Sequence, residues 1–571
     1  MEIERGRVRF LAIALTLLAM LYTGRLFYVQ IVQGSYWSTL ADSQYEAGGE
    51  YGVYERGSVF FQDRQGGKLT AAGLDSGFIL SVNPDLVEDP NAYFEKLKTV
   101  LPDISEIEFK ERASKVDDPY EEITGRLPQS VGERINELEL PGVALVREQW
   151  RTYPAGDLAA HVLGFVGYQG DRYEGQYGVE KYYEARLRRD PGDLYQNFFS
   201  GLFSGIKDEV FGKEGSRDAD VVLSIEPSVQ RLVESKTEGL MEKWEAKSVG
   251  IIVLDPSTGA IIAMSANPNF DPNNYGLETD PGVFSNPFVE DVFEMGSIMK
   301  PITMAAALDE GAVKADTKYF DKGYIELDGK TIGNYDGKGR GEVDMQDVLN
   351  QSLNTGVTFA AHRMGKDNFR QYMYRFGFHE KTGIDLPGET GNLVDNLESN
   401  RDVEIATASF GQGIAVSPIS MVRALGALGN GGFLIKPHVV SRLEYKLGYS
   451  EESEVTEQGR AISRETSDEI TRMLVKVVDE HLAAGSLRME NYSIAAKTGT
   501  AQIANPDDGG YYEDRFMHSF FGYFPAYDPE FLVFLYMYEP KGADFASQTL
   551  TEPFGDIAEF LISYYEIPPD R

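Results

Sequence analysis

An uncharged apolar run from Phe10 to Gly24 opens the hydrophobic pattern of the chain, and it resumes after Arg25 as LFYVQIV to Val32. About 20 apolar residues cross a hydrocarbon core, so residues 10–32 predict a membrane helix in which Arg25 snorkels to the interface. No Ala-x-Ala cleavage site follows, which favours an uncleaved anchor over a signal peptide. Arg5, Arg7 and Arg9 precede the run, and the positive-inside rule keeps residues 1–9 in the cytoplasm and sends the chain beyond about residue 35 across the membrane. The alternative for this run is a buried core helix. No second run of comparable length appears, so the remainder reads as one exported soluble body.

From 36 to 217 short β-like runs alternate with charged helical stretches, as in GFILSVNP (77–84) followed by Asp89–Val116, which predicts a mixed α+β region. Arg56-Gly57-Ser58-Val59 with Asp63-Arg64 reads as a strand and tight turn, and Arg151-Thr-Tyr-Pro-Ala-Gly156 leads to the apolar run around His161, which reads as a packing histidine. A second domain is predicted from 218 to 571. There Asp220–Ile225 is a strand, Pro227 opens a helix through about Lys247, and Ile251–Asp255 with Ala260–Ser265 form a hairpin over Pro-Ser-Thr-Gly. No internal repeat or low-complexity tract interrupts this α+β order.

Composition narrows the chemistry. A chain of 571 residues predicts about three or four domains. The 54 Lys and Arg against 90 Asp and Glu leave a net charge of −36, which argues against nucleic acid as a partner. With no cysteine, disulfide frameworks, thiol nucleophiles and Cys-ligated metals are excluded. The six histidines show no ligand spacing, so neither a metal nor a cofactor is expected.

In the second domain Glu294-Met-Gly-Ser-Ile-Met-Lys-Pro301 runs into ITMAAAL and stops at Gly311, a helix whose start holds Ser297 and, one turn on and on the same face, Lys300. Serine is a weak nucleophile until a base takes its proton, and lysine serves as that base once burial or a neighbouring cation lowers its pKa, a lowering worth roughly 4 kcal/mol. Alone, the spacing is common by chance and reads first as an N-cap serine and a solvated lysine. Two later elements add specificity: Ser352-Leu353-Asn354 and Lys497-Thr498-Gly499. A second Lys-Thr-Gly at Lys381 precedes a turn-rich stretch, whereas Lys497 lies in a strand-like run able to present its backbone to an extended peptide, so Lys497 is chosen. Small Gly499 would let that peptide approach closely.

Ser-x-x-Lys, Ser-x-Asn and Lys-Thr-Gly in this order resemble the motifs of penicillin-binding proteins and class A β-lactamases. With DVVLSIEPSVQ (220–230), VLDPSTGAIIAMSANPNFDPN (253–273), KTGIDLPGE (381–389), FGQGIAVSPISM (410–421) and MHSFFGYFPA (517–526), the chain resembles the class B penicillin-binding proteins, anchored monofunctional transpeptidases of peptidoglycan. ERGSVFFQDRQG (55–66) and TYPAGDLAAHVLGFVG (152–167) are similar to that family's non-catalytic pedestal. Met295 stands where proline is usual, and Gln65 where asparagine is. The resemblance implies a pedestal, or dimerisation, domain over 36–217 and, over 218–571, a β-lactamase-like domain with an antiparallel sheet flanked by helices.

It also implies roles. Ser297 would be acylated and Lys300 would take its proton. Ser352 would relay that proton to the leaving D-alanine, and Asn354 would hold Lys300 and the acyl-chain amide. Lys497 would supply positive charge, Thr498 and Thr500 would bind the substrate carboxylate, and the backbone N–H groups of Ser297 and Thr500 would form the oxyanion hole. His362, on the helix after Ser352, reads as structural. The implied substrates are D-Ala-D-Ala stem peptides, with β-lactams as their mimics. A glycosyltransferase motif is lacking, since Glu88-Asp89 and Phe94 have no histidine nearby. Polymerisation would therefore come from a multi-spanning membrane glycosyltransferase beside other division or elongation proteins.

Three other readings stay open at this level. A D,D-carboxypeptidase or β-lactamase differs only in using water to deacylate, and a catalytically idle scaffold is disfavoured by intact Ser297, Lys300 and Lys497. A β-lactam sensor would need more than the nine or so residues on the cytoplasmic side.

Overall fold

The computed structural model describes residues 55–115, 118–170, 172–189, 218–445, 448–507 and 509–571. The expected cytoplasmic tail and the anchor at 10–32 lie outside the described residues, and among these no helix is long and apolar enough to cross a membrane.

One compact unit is built on Asp75–Trp150. The strand expected at 77–84 is the second half of Lys68–Val82, which pairs antiparallel with Glu121–Pro128. The charged stretch after it is two helices rather than one, Pro90–Lys98 and Glu106–Ala113. Asp89 caps the first by accepting from the Asn91 N–H, with Pro90 in the first turn, and Ser105 caps the second. Pro102 falls between them, where a residue without an N–H cannot continue a helix. Phe94 and Phe109, with ring centres 6.2 Å apart, join the two helices over a core that includes Leu80, Val82 and Leu97.

The second unit takes in Arg56–Leu74 and Arg151–Arg571. Near its start, buried Glu180 accepts from Arg56 Nε and Arg151 Nε, each at 2.6 Å. Burial alone would raise its pKa, but the two guanidiniums hold the carboxyl below its ordinary value. The Asp63 turn is closed by the Gln65 and Gly67 N–H groups donating to Asp63 Oδ1, so it uses the backbone of Gln65 and is indifferent to glutamine standing there.

Five antiparallel strands form the central sheet in the order Ile261–Asn267, Ser248–Leu254, Phe531–Tyr538, Tyr511–Phe524, Ala495–Ala504. Phe531–Tyr538 is buried along almost its whole length, the signature of a strand covered on both faces. The helix Thr551–Tyr565 packs on the Gly522 side, where a Cβ would lie 2.4 Å from the Phe554 ring. Helices Pro418–Gly429 and Arg464–Glu480 cover the Tyr523 side, where Thr471 Oγ1 and Tyr523 OH are 2.8 Å apart. Against these lies Met299–Asp309, apolar on all sides and buried from Met299 to Ala307, with Lys300 as the one cation in its first turn. Gly311, at φ +71°, takes up the left-handed conformation just beyond its end.

Candidate active site

Ser297 occupies a single 3₁₀ turn, Gly296–Ile298, that leads directly into Met299–Asp309. The turn is clamped from both sides. Gly296 has φ +63°, and a Cβ on it would lie 2.8 Å from Thr500 O, while a Cβ on Gly411 would lie 2.3 Å from Gly296 O. The Gly296 N–H donates to Gly411 O at 3.0 Å. Glycine is required at both positions, because the backbone must turn left-handed while another segment of the chain touches it. Gly499 presses the edge strand onto the same turn: its missing Cβ would fall 2.3 Å from Ser519 Oγ and 2.8 Å from Met295 O. Its smallness thus serves strand-to-turn packing. Ser519 Oγ donates to Met295 O at 2.8 Å, so the site uses the carbonyl of Met295, which proline also has.

Lys300 is 1% exposed and Lys497 3%, and both reach the same hydroxyl. Lys300 Nζ donates to Ser352 O at 2.5 Å and lies 3.1 Å from Ser352 Oγ, and Lys497 Nζ lies 3.1 Å from the same Oγ and donates to Thr498 O at 2.9 Å. Ser352 has φ +54°, a left-handed conformation that costs a non-glycine residue about 1–3 kcal/mol. That conformation turns both of its oxygens toward Lys300. Burial, and after it the charge of Lys497, pushes the Lys300 pKa well below that of an ordinary lysine; burial brings Lys497 down to about 7. Lys300 has the second cation as a neighbour and is the one placed to stand neutral. A hydroxyl held between a neutral amine and an ammonium can pass a proton either way.

Asn354 begins the helix Asn354–Met364, and its Nδ2 donates to Gly333 O at 2.8 Å. Among the described residues the hydrogen bonds of Lys300 go to Ser352; Asn354 here anchors the segment around Gly333. Thr498 and Thr500 are half-buried on Ala495–Ala504, the edge strand of the sheet, whose outer side is open to an added strand. Thr500 Oγ1 accepts from the Ala546 N–H at 3.1 Å, which leaves its own proton to donate.

The second Lys-Thr-Gly is built differently. Lys381 is exposed and donates to Glu389 O, and the Thr382 and Gly383 N–H groups close on the Glu389 carboxylate, making a sealed turn and no strand. His161 packs edge-on against Phe270 with Nε2 2.9 Å from Val283 O, and burial brings its pKa to about 4. His362 lies on the helix Asn354–Met364 with Asp402 as its charged neighbour, and burial lowers its pKa as well. Sequence reasoning missed Ser519, Gly411 and Glu294, whose Oε1 accepts from the Gly413 N–H at 3.0 Å and Tyr511 OH at 3.2 Å. The only signal was that FGQG and MHSFF stood out as landmarks, because a hydrogen bond to a distant backbone leaves no spacing to read.

A buried lysine pair sharing one serine hydroxyl beside a clamped serine turn is the apparatus of an active-serine acyltransferase. The family model described as the penicillin binding protein transpeptidase domain matches residues 249–559, and that of the penicillin-binding protein dimerisation domain matches residues 55–197. Stage V sporulation protein D of Bacillus subtilis is 33% identical over 559 residues, covering 96% of this chain and 84% of that protein. Peptidoglycan D,D-transpeptidase FtsI of Escherichia coli is 27% identical over 444 residues, covering 76% and 71%. The crystal structure of penicillin-binding protein 3 from Mycobacterium tuberculosis complexed with aztreonam shares the fold, with a TM-score of 0.67 at 21% identity over 91% of this chain and 98% of that one. The chain belongs to the class B penicillin-binding proteins. It is a serine-type peptidoglycan D,D-transpeptidase.

Proposed function

We propose that neutral Lys300 takes the proton of Ser297 and that Ser297 Oγ attacks the penultimate D-alanine carbonyl of a stem peptide. The donor lies along the edge strand with its terminal carboxylate drawn to Lys497 and hydrogen-bonded by Thr498 and Thr500. The N–H groups of Ser297 and Thr500 take the oxyanion, where loss of one donor costs about 3–4 kcal/mol of barrier. Ser352 Oγ passes the proton to the departing D-alanine nitrogen, and an amine of a second stem peptide then attacks the ester. The observation that carries this reading is the single hydroxyl of Ser352 within 3.1 Å of both Lys300 and Lys497. β-Lactams, which mimic D-Ala-D-Ala, acylate the same serine. A stem pentapeptide and an amine acceptor incubated with the full chain are expected to yield one D-alanine per new amide, counted by mass spectrometry. D-alanine release without any amide would favour a carboxypeptidase, and no release at all a scaffold.

The same reading places residues 10–32 in the cell membrane as a single pass with residues 1–9 in the cytoplasm, the pedestal over 36–217 and the transpeptidase domain over 218–571 outside it. A transpeptidase acts on strands that something else polymerises, so a multi-spanning membrane glycosyltransferase of the division or elongation machinery is the partner. Tyr22, Tyr28 and Arg25 would give the anchor a face for it. Exchanging residues 10–32 for an unrelated membrane helix is expected to abolish co-purification with that polymerase while penicillin labelling of Ser297 persists. Retained co-purification would put the contact in the pedestal alone.

A further inference from the structure

Two walls of the site, joined through Lys497 and the Ser352 hydroxyl, are joined at a second place. One wall is the Ser352–Asn354 segment. Asn354 Nδ2 holds Gly333 O at 2.8 Å, and Asn334, next along, is fixed by Asp321 Oδ2 at 2.9 Å and by Thr355 Oγ1 at 3.1 Å. Tyr335 follows at once, so its position is tied to that wall. The other wall is the edge strand, where the Ala546 N–H donates to Thr500 Oγ1. Phe545 immediately precedes Ala546, so it is tied to the strand carrying Lys497. Between them the Tyr335 and Phe545 rings meet edge to face, with centroids 5.9 Å apart and planes at 80°. Both are large aromatic side chains left in solvent, Tyr335 62% and Phe545 42% exposed, which is where a recognition surface rather than a core is expected.

We propose that Tyr335 and Phe545 form an aromatic closure over the cleft that decides whether the acyl-enzyme is resolved by an amine or by water. The inference rests on the acyl-enzyme reading above. In the productive step the amine nitrogen bonds to the ester carbonyl carbon, the bond from that carbon to Ser297 Oγ breaks, and the proton lost by the amine passes by way of Ser352 Oγ and Lys300 to Ser297 Oγ. In the competing step water supplies the oxygen, and the products are a free carboxylic acid and the same regenerated serine. The two steps share every residue of the serine apparatus, so that apparatus does not choose between them. Access does. Two rings in edge-to-face contact can part for a stem peptide, reclose over its apolar side-chain groups, and keep bulk water from the ester while a bound amine is delivered. Tyr335 and Phe545 are thus positioning residues that act on the lifetime and partner of the ester, and the Lys300 and Ser352 chemistry stays as described.

The test uses the full-length chain, a donor peptide ending in D-alanyl-D-alanine and a D-amino acid as amine acceptor. For each variant the ratio of aminolysed to hydrolysed donor is counted by mass spectrometry per acyl-enzyme turned over. Tyr335→Ala and Phe545→Ala are each expected to lower that ratio at least threefold, and Tyr335→Phe, which keeps the ring, to restore it. Fluorescent penicillin labelling at Ser297 and a cooperative thermal transition show that each variant has folded. A ratio unchanged in both alanine variants overturns the closure, and so does a loss that Tyr335→Phe fails to restore. Failure of the underlying reading looks different, because the unsubstituted chain would then form no acyl-enzyme at Ser297 at all.

Discussion

Ser297→Ala is expected to abolish all covalent labelling by a fluorescent penicillin, and the unsubstituted chain to carry one adduct per molecule on the peptide containing Ser297. A β-lactam presents a strained amide in place of the D-Ala-D-Ala bond. Once Ser297 Oγ opens the ring, the leaving nitrogen stays tethered, so the ester persists long enough for peptide mass mapping. No other residue among those described combines a half-buried serine with a buried lysine one helical turn away and a second lysine on the shared hydroxyl. Ser297 is partly exposed on its turn, so trimming its hydroxyl should change stability by no more than about 0.5 kcal/mol. Loss of labelling with an unshifted thermal midpoint therefore reads as lost chemistry. A label that survives in Ser297→Ala, or that maps near Lys381, would sink the assignment.

What the sequence disclosed follows from which constraints are local. Ser297 and Lys300 were readable because a helical period sets residues three apart on one face, and the apolar run after them announced a buried helix. Lys497 could be told from Lys381 because it lies in a strand-like run and Lys381 before a turn-rich one, and Lys497 lies on Ala495–Ala504. The junction at Ser352 was legible only through family resemblance, since it joins residues 52 and 145 positions apart. Its left-handed backbone has no signature in a serine. Gly499 shows the converse. A glycine beside a motif invites a substrate-approach explanation, and nothing local says that the strand is also pressed there against Ser519 and Met295. The helical stretch 89–116 was read through Pro102 as one element, where the missing N–H makes two. Asn354 was assigned a hold on Lys300 by analogy, and the structure gives that hold to Ser352.

Lys300→Arg is expected to slow acylation by about 10²–10⁴-fold, the usual worth of a general base, because a guanidinium does not give up its proton near neutral pH. The pH profile carries the same argument further. Acylation needs Lys300 without its proton, and burial with the nearby Lys497 charge lowers the Lys300 pKa well below the ordinary value, so the rate rises as pH climbs through that lowered value. Carboxylate attraction needs Lys497 with its proton, and burial alone brings Lys497 to about 7, so the rate falls as pH passes upward through that region. The second-order acylation rate should therefore be bell-shaped, its two limbs belonging to the lysine pair through Ser352 rather than to either residue alone. Lys497→Arg keeps the charge at every accessible pH. It should move the descending limb upward by more than one pH unit. Stopped-flow acylation with a chromogenic β-lactam across pH 5–10 gives both limbs, and circular dichroism at each pH separates lost rate from lost fold. If Lys300→Arg acylated within a factor of a few of the unsubstituted chain, the lysine buried at the head of Met299–Asp309 would be structural. The proton of Ser297 would then need another acceptor.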